Sequence, residues 1–205
     1  VDPVACEGGG VCVHFCPEKA IDFPEKTCGE WYISKTRFGM MAHARLGIAE
    51  ENSGKLVSLV RRQAARIAEE TDTDLILTDG PPGVGCPVIA SLGGASAALL
   101  VSEPTVAGVH DMNRVMELCR FFGVPALLAV NKFDLNPDQT GAMEAFADER
   151  GVKPVGRIPF DLSFTRAMVK GLPIQEYDAG CGAAAAVSEI WQNLQREMES
   201  LPEKS

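Results

Sequence analysis

The stretch PALLAVNKFD, Pro125 to Asp134, decides the fold. Ala126 to Val130 is an unbroken apolar run, the pattern of a strand covered on both faces, and it stops at once on the polar residues Asn131, Lys132 and Asp134. Such a strand belongs in a parallel sheet between layers of helix. Polar groups just beyond it stand on the rim where open α/β sheets bind ligands. The Asn131 amide offers donors and an acceptor to a ring edge, and the Asp134 carboxylate accepts from an exocyclic amine. The N-x-x-D spacing therefore suits recognition of a nucleotide base. Four residues decide little alone, and their neighbours add the rest.

Comparable runs lie on either side: DLILTD (74–79), AALLVSEP (97–104) and PVGRIP (154–159). Helical patterns separate them. SGKLVSLVRRQAARIAEE (53–70) precedes the first, VHDMNRVMELCRFFG (109–123) the third and AMEAFADERG (142–151) the fourth. In the 53–70 segment Leu56, Leu59, Val60, Ala64 and Ile67 form one apolar stripe, with charges opposite. Ala183 to Leu201 reads as a further amphipathic helix. The fold class expected is α/β, a mostly parallel sheet with flanking helices. Trp31 to Leu46 shows the partial alternation of a hairpin or extended edge, and a boundary is expected near Cys28, dividing 1–27 from 28–205.

The 205 residues are 46% hydrophobic, enough for one main core and a small appendage. A formal charge of -9 opposes binding to nucleic acid or anionic lipid. The longest uncharged segment, Gly80 to Ser102, is broken by Pro81, Pro82, Pro87 and five glycines, so no membrane span is expected. Seven cysteines, an odd number beside ample core material, point to reduced thiols and a cytoplasmic setting.

In LILTDGPPGVG, Asp79 ends an apolar run and the chain turns at once through glycine and proline. An acid there can hold magnesium through water, and the glycine amides beyond it can face a phosphate. The alternative is a turn acid capping the helix that starts near Pro87.

DGPPGVGCPVIASL, VSEPTVAGVHDMNRVMELCRFFGVP, VNKFD and GRIPFD together resemble the MinD/ParA/Mrp group of deviant phosphate-loop (P-loop) ATPases. Within that group, the chain is most similar to MinD-superfamily ATPases with an inserted ferredoxin domain, over nearly its whole length. The resemblance implies ATP and Mg2+ as ligands, Asp79 as the acid supporting magnesium, and Gly83 as the glycine whose amide approaches the γ-phosphate. It implies Asn131 at the adenine, Pro159 and Asp161 beside the base, and Glu103 and Pro104 as a wall, with Asp134 kept as a base contact from the N-x-x-D spacing. It further implies water attack on the γ-phosphate, a homodimer, and a redox or cluster-receiving partner. No G-x4-G-K-[ST] loop occurs; the nearest echo is NSGKLV (52–57), where Lys55 reads as an ordinary first-turn residue. A Walker A segment is therefore expected upstream of Val1, and these residues alone are expected to lack most nucleotide affinity and catalysis.

CEGGGVCVHFCP (6–17) looks like the iron–sulfur run C-x2-C-x2-C-x3-C-P with Gly9 in place of its second cysteine. Cys6, Cys12 and Cys16 become candidate ligands of a 4Fe-4S or smaller cluster, with Pro17 and an AIDF strand (20–23) following as in ferredoxins. Three unligated thiols remain the alternative. His14, His43 and His110 read as surface or packing residues, Cys86 as buried in its turn and Cys119 as core. Arg61, Arg62 and Arg66 read as a solvated face paired with Glu69 and Glu70. Two other functions stay open: a GTPase, because Asn131, Lys132 and Asp134 spell N-K-x-D, and a non-enzymatic iron–sulfur carrier or scaffold.

Overall fold

The computed structural model describes residues 6, 9–24, 27, 29–47 and 54–201. The chain divides into two compact units, Val1–Asp79 and Gly80–Ser205.

In the first unit a one-turn helix α1 (Val11–His14) precedes an antiparallel hairpin, β1 (Gly29–Thr36) and β2 (Gly39–Leu46), and then the long helix α2 (Gly54–Thr71). The two-residue hairpin loop is held by Thr36, whose hydroxyl donates to the Gly39 carbonyl at 2.8 Å and accepts from the Phe38 N–H at 3.1 Å. Cross-strand pairing sets Tyr32 opposite His43, and their rings stack at 5.3 Å. On the same face Ser34 Oγ lies 2.9 Å from His43 Nε2. Helix α2 lies against β2, and Arg66 pairs with Glu70 one turn on at 2.9 Å.

Two expected strands are absent. Residues 73–81 carry no strand, and Leu75, Ile76 and Leu77 are 46%, 46% and 81% exposed. Ala20 to Phe23 likewise carries none. An apolar run becomes a strand only when a neighbour's N–H and C=O groups close a ladder on it. Among the described residues nothing pairs with either segment.

The second unit is built on three parallel strands, β3 (Ala98–Ser102), β4 (Ala126–Asn131) and β5 (Lys153–Ile158), in the order β3-β4-β5. Its helices are α3 (Cys86–Leu92), α4 (Val106–Phe121), α5 (Pro137–Asp148), α6 (Leu162–Val169), α7 (Ile174–Tyr177) and α8 (Gly182–Glu199). The central strand β4 obeys the period-2 rule in both directions. Leu128 and Val130 pack with Met112 and Met116 of α4 and with Met143 and Ala147 of α5. Leu127 and Ala129 face the other way, onto Ile190 and Leu194 of α8. Burial of each large side chain contributes about 1.5–3 kcal/mol, so the continuous apolar run reflects helices on both sides.

Strand β5 contains a bulge. Leu128 pairs with Pro154 and Ala129 with Gly156, which leaves Val155 extra. The Val155 carbonyl accepts from Asn193 Nδ2 of α8 at 2.7 Å. A Cβ on Gly156 would stand 2.5 Å from Ile190 Cγ1, so only glycine lets α8 close on the strand here.

Candidate functional site

Because β3, β4 and β5 are parallel, their carboxyl ends share one rim, and the turn after each carries residues singled out from the sequence. After β3 come Glu103, Pro104 and Thr105. Thr105 caps α4 by accepting from the Gly108 N–H at 3.0 Å, and Ser102 Oγ donates to the Gly108 carbonyl at 3.0 Å. A Cβ on Gly108 would lie 2.2 Å from the Glu103 carbonyl, so glycine is what seats the helix start against the strand end.

After β4 the chain passes through Lys132 in the left-handed conformation, φ 54, into a 3-10 turn, Phe133–Leu135. The fully buried Thr140 of α5 fixes that turn, its hydroxyl shared between the Phe133 and Asn136 carbonyls at 3.0 Å each. Lys132 Nζ lies 2.6 Å from Glu103 Oε1. Asp134 Oδ1 accepts from the Phe160 N–H at 2.7 Å. Asn131, half-buried at the end of β4, has no side-chain hydrogen bond among the described residues.

After β5, Pro159 and Phe160 lead to Asp161, which caps α6 by accepting from the Ser163 N–H at 2.7 Å. That N–H, then the Ser163 hydroxyl, hold the Asp161 carboxyl below its ordinary value, with Arg166 adding to the effect. The rim thus brings together Glu103, Pro104, Asn131, Asp134, Pro159 and Asp161.

The remaining candidates lie outside these three turns in sequence. Gly83 lies in the loop before α3 at φ 86 with open space around it, a backbone suited to glycine. Cys86, expected to be buried, is exposed, because it is the first residue of α3 and Val88 and Leu92 are the buried residues of that helix. Cys119 is in the core, and burial pushes its thiol up. Asp79 is exposed and closes the first unit. Cys6 and Cys12 are exposed, while Cys16 is half-buried and its Sγ accepts from the Ala20 N–H at 3.4 Å. Among the described residues no three His, Cys, Asp or Glu side chains converge as metal ligands. Sequence reasoning placed Glu103, Lys132 and Asp134 on the rim but missed the bonds they make to one another's turns. It also missed Gly108, whose signal is a glycine in the first turn of an otherwise unbroken helix.

The second unit's three parallel strands and flanking helices match the α/β fold of MinD-like P-loop ATPases. MinD of Aquifex aeolicus superposes with a TM-score of 0.60, covering 84% of this chain and 71% of that one at 22% identity. Among sequences, an uncharacterized protein of Methanocaldococcus jannaschii is 34% identical over 136 residues, 66% of this chain and 48% of that one. The iron–sulfur cluster carrier protein of Pyrococcus abyssi is 26% identical over 162 residues, 72% of this chain and 54% of that one. The chain therefore spans about half the length of the relatives it matches. No family model matches it. Among the described residues no helix is long and apolar enough to cross a membrane.

Proposed function

We propose that the protein carrying this chain binds and hydrolyses ATP and handles an iron–sulfur cluster as its cargo. The observation that carries the reading is the Asn131 side chain, uncommitted at the end of the central strand while the charged residues around it are paired. An asparagine amide presents an acceptor and donors side by side, matching the N6–H and N7 of adenine; guanine shows two acceptors on that edge and satisfies only half of it. Pro104 and Pro159 are proposed as walls of the base site.

Asp79 and Gly83 are assigned from their motif. One carboxylate, completed by water and phosphate oxygens, is an ordinary complement for magnesium, so Asp79 fits that duty. When bound, magnesium neutralises charge developing on the phosphates. Gly83, where an added Cβ would meet open space, is proposed to turn its backbone N–H to the terminal phosphate. These 205 residues contain no G-x4-G-K-[ST] loop, so by themselves they are proposed to bind weakly and not to turn over.

The likeness to the Pyrococcus carrier supports the cluster as cargo, and residues 1–27 are proposed as its segment. Among the described residues Cys6, Cys12 and Cys16 do not form a ligand set. A second copy of the chain and a cluster-receiving protein are the proposed partners.

Competition against a fluorescent ATP analogue, with the full-length protein, tests the reading. ATP should compete at least tenfold better than GTP, and Asn131→Ala should weaken ATP by about tenfold. Equal competition by GTP, or an Asn131→Ala protein with unchanged affinity, would overturn it.

A further inference from the structure

The letters N-K-x-D suggest that Lys132 and Asp134 face the base together with Asn131. Their contacts say otherwise. Lys132 Nζ is engaged at 2.6 Å by Glu103, joining the β4 turn to the β3 turn. Asp134 Oδ1 is engaged at 2.7 Å by the Phe160 N–H, joining the β4 turn to the β5 turn. Both links connect turns that sequence keeps far apart, and both leave from the same four residues at the end of the most buried strand.

A carboxylate that reads guanine takes the N1–H and the exocyclic N2–H together, one on each oxygen, and so must be free to align its plane with the ring edge. One of the two oxygens of Asp134, Oδ1, is already engaged by the Phe160 N–H. The bond is charge-assisted and short, the stronger kind, and it is made to a main-chain group that cannot turn away without moving the strand end. Lys132 is similarly drawn sideways along the rim.

We infer that Glu103, Lys132 and Asp134 are positioning residues that clasp the three strand-end turns into one rim and so hold Asn131 toward its ligand, and that Asp134 does not read the base. The inference rests on the nucleotide reading above for its ligand, but the clasp itself is a feature of the protein alone.

The test uses the full-length protein, with Asp134→Asn, which keeps an oxygen acceptor for Phe160, beside Asp134→Ala, which removes it. Two quantities are measured: exchange of the Phe160 amide proton by NMR, and displacement of a fluorescent ATP analogue by ATP, GTP and XTP. In Asp134→Ala the Phe160 amide should exchange about tenfold faster and ATP should bind about fivefold more weakly, with the ATP-to-GTP ratio unchanged. Asp134→Asn should restore most of both. Glu103→Gln and Lys132→Met should each weaken ATP by about twofold to threefold, and the double variant by no more than either alone.

A base-reading carboxylate behaves differently: its change to an amide exchanges acceptors for donors, and Asp134→Asn would gain XTP at the expense of GTP. That result overturns the inference. So does a Phe160 amide whose exchange is indifferent to Asp134→Ala. If the unaltered protein binds none of the three nucleotides, the functional reading fails and the positioning role with it, while the exchange measurement still decides whether the clasp exists.

Discussion

Lys132 holds a left-handed backbone, φ 54, and from that conformation closes a 2.6 Å ion pair with Glu103 on the neighbouring strand end. The two effects can be compared. The left-handed conformation costs a non-glycine residue about 1–2 kcal/mol, whereas a pair with side chains 36% and 42% exposed contributes about 0–1 kcal/mol. Lys132→Gly should therefore unfold within about 0.5 kcal/mol of the natural protein, and Lys132→Ala about 1 kcal/mol below Lys132→Gly. Urea midpoints decide it; a Lys132→Gly protein 2 kcal/mol weaker would show that the pair outweighs the strain.

Gly108→Ala should be costly although the position lies in a helix, where alanine is ordinarily favoured. The added methyl would meet the Glu103 carbonyl at 2.2 Å, and that atom is main chain. Relief requires the α4 start to lift from the strand end, a strain of about 1–3 kcal/mol. Thermal unfolding should show the loss, and nucleotide affinity should fall with it because Glu103 shifts.

Acid should loosen the start of α6. Hydrogen bonds from Ser163 depress the folded-state pKa of Asp161, so the cap's contribution is fully present above the ordinary carboxylate range. It is lost as pH falls through the depressed value. Protection of the Ser163 amide, its exchange measured against the free-amide rate at each pH, should fall across that window. Asp161→Asn, which caps without titrating, should remove the pH dependence while retaining most protection at neutral pH.

Thiol chemistry should separate two cysteines of the second unit. Cys86 is exposed and Cys119 is 1% exposed with its thiol pushed up by burial. At pH 8, mass mapping should find Cys86 alkylated promptly and Cys119 only after denaturant is added. Simultaneous modification would mean that α4 does not seat as described.

Leu128 and Leu77 come from apolar runs of similar composition but have opposite surroundings. Leu128→Ala should cost about 2–5 kcal/mol, because the residue is wholly buried between β4 and its helices. Leu77→Ala should cost less than about 0.5 kcal/mol, since Leu77 is 81% exposed.

That contrast explains what was legible. Ala126–Asn131 read correctly as a strand because helices on both faces demand an unbroken apolar run, and the same logic found β3, β5 and the helices between them. Asp74–Asp79 obeys the same pattern and is no strand, because composition reports a preference for burial and is silent about whether a neighbouring backbone is in reach. Cys86 misled for a related reason: its place in a tight turn suggested burial, but at the first position of α3 its side chain is exposed. The rim was visible residue by residue. The bonds between its turns were not, since Lys132 to Glu103 and Asp134 to Phe160 join positions that no local period relates.

The extra residue in β5 gives the end of the chain a say in the alignment of the sheet. Val155 has a carbonyl to offer Asn193 only if the strand steps by one residue between Pro154 and Gly156, and Ile190 can approach only where that step brings a glycine. A strand laid down one notch out would present a side chain to Ile190 and no acceptor to Asn193. The last long helix thus works as a key cut for a single setting of β5, fitting that alignment and rejecting its nearest misalignments.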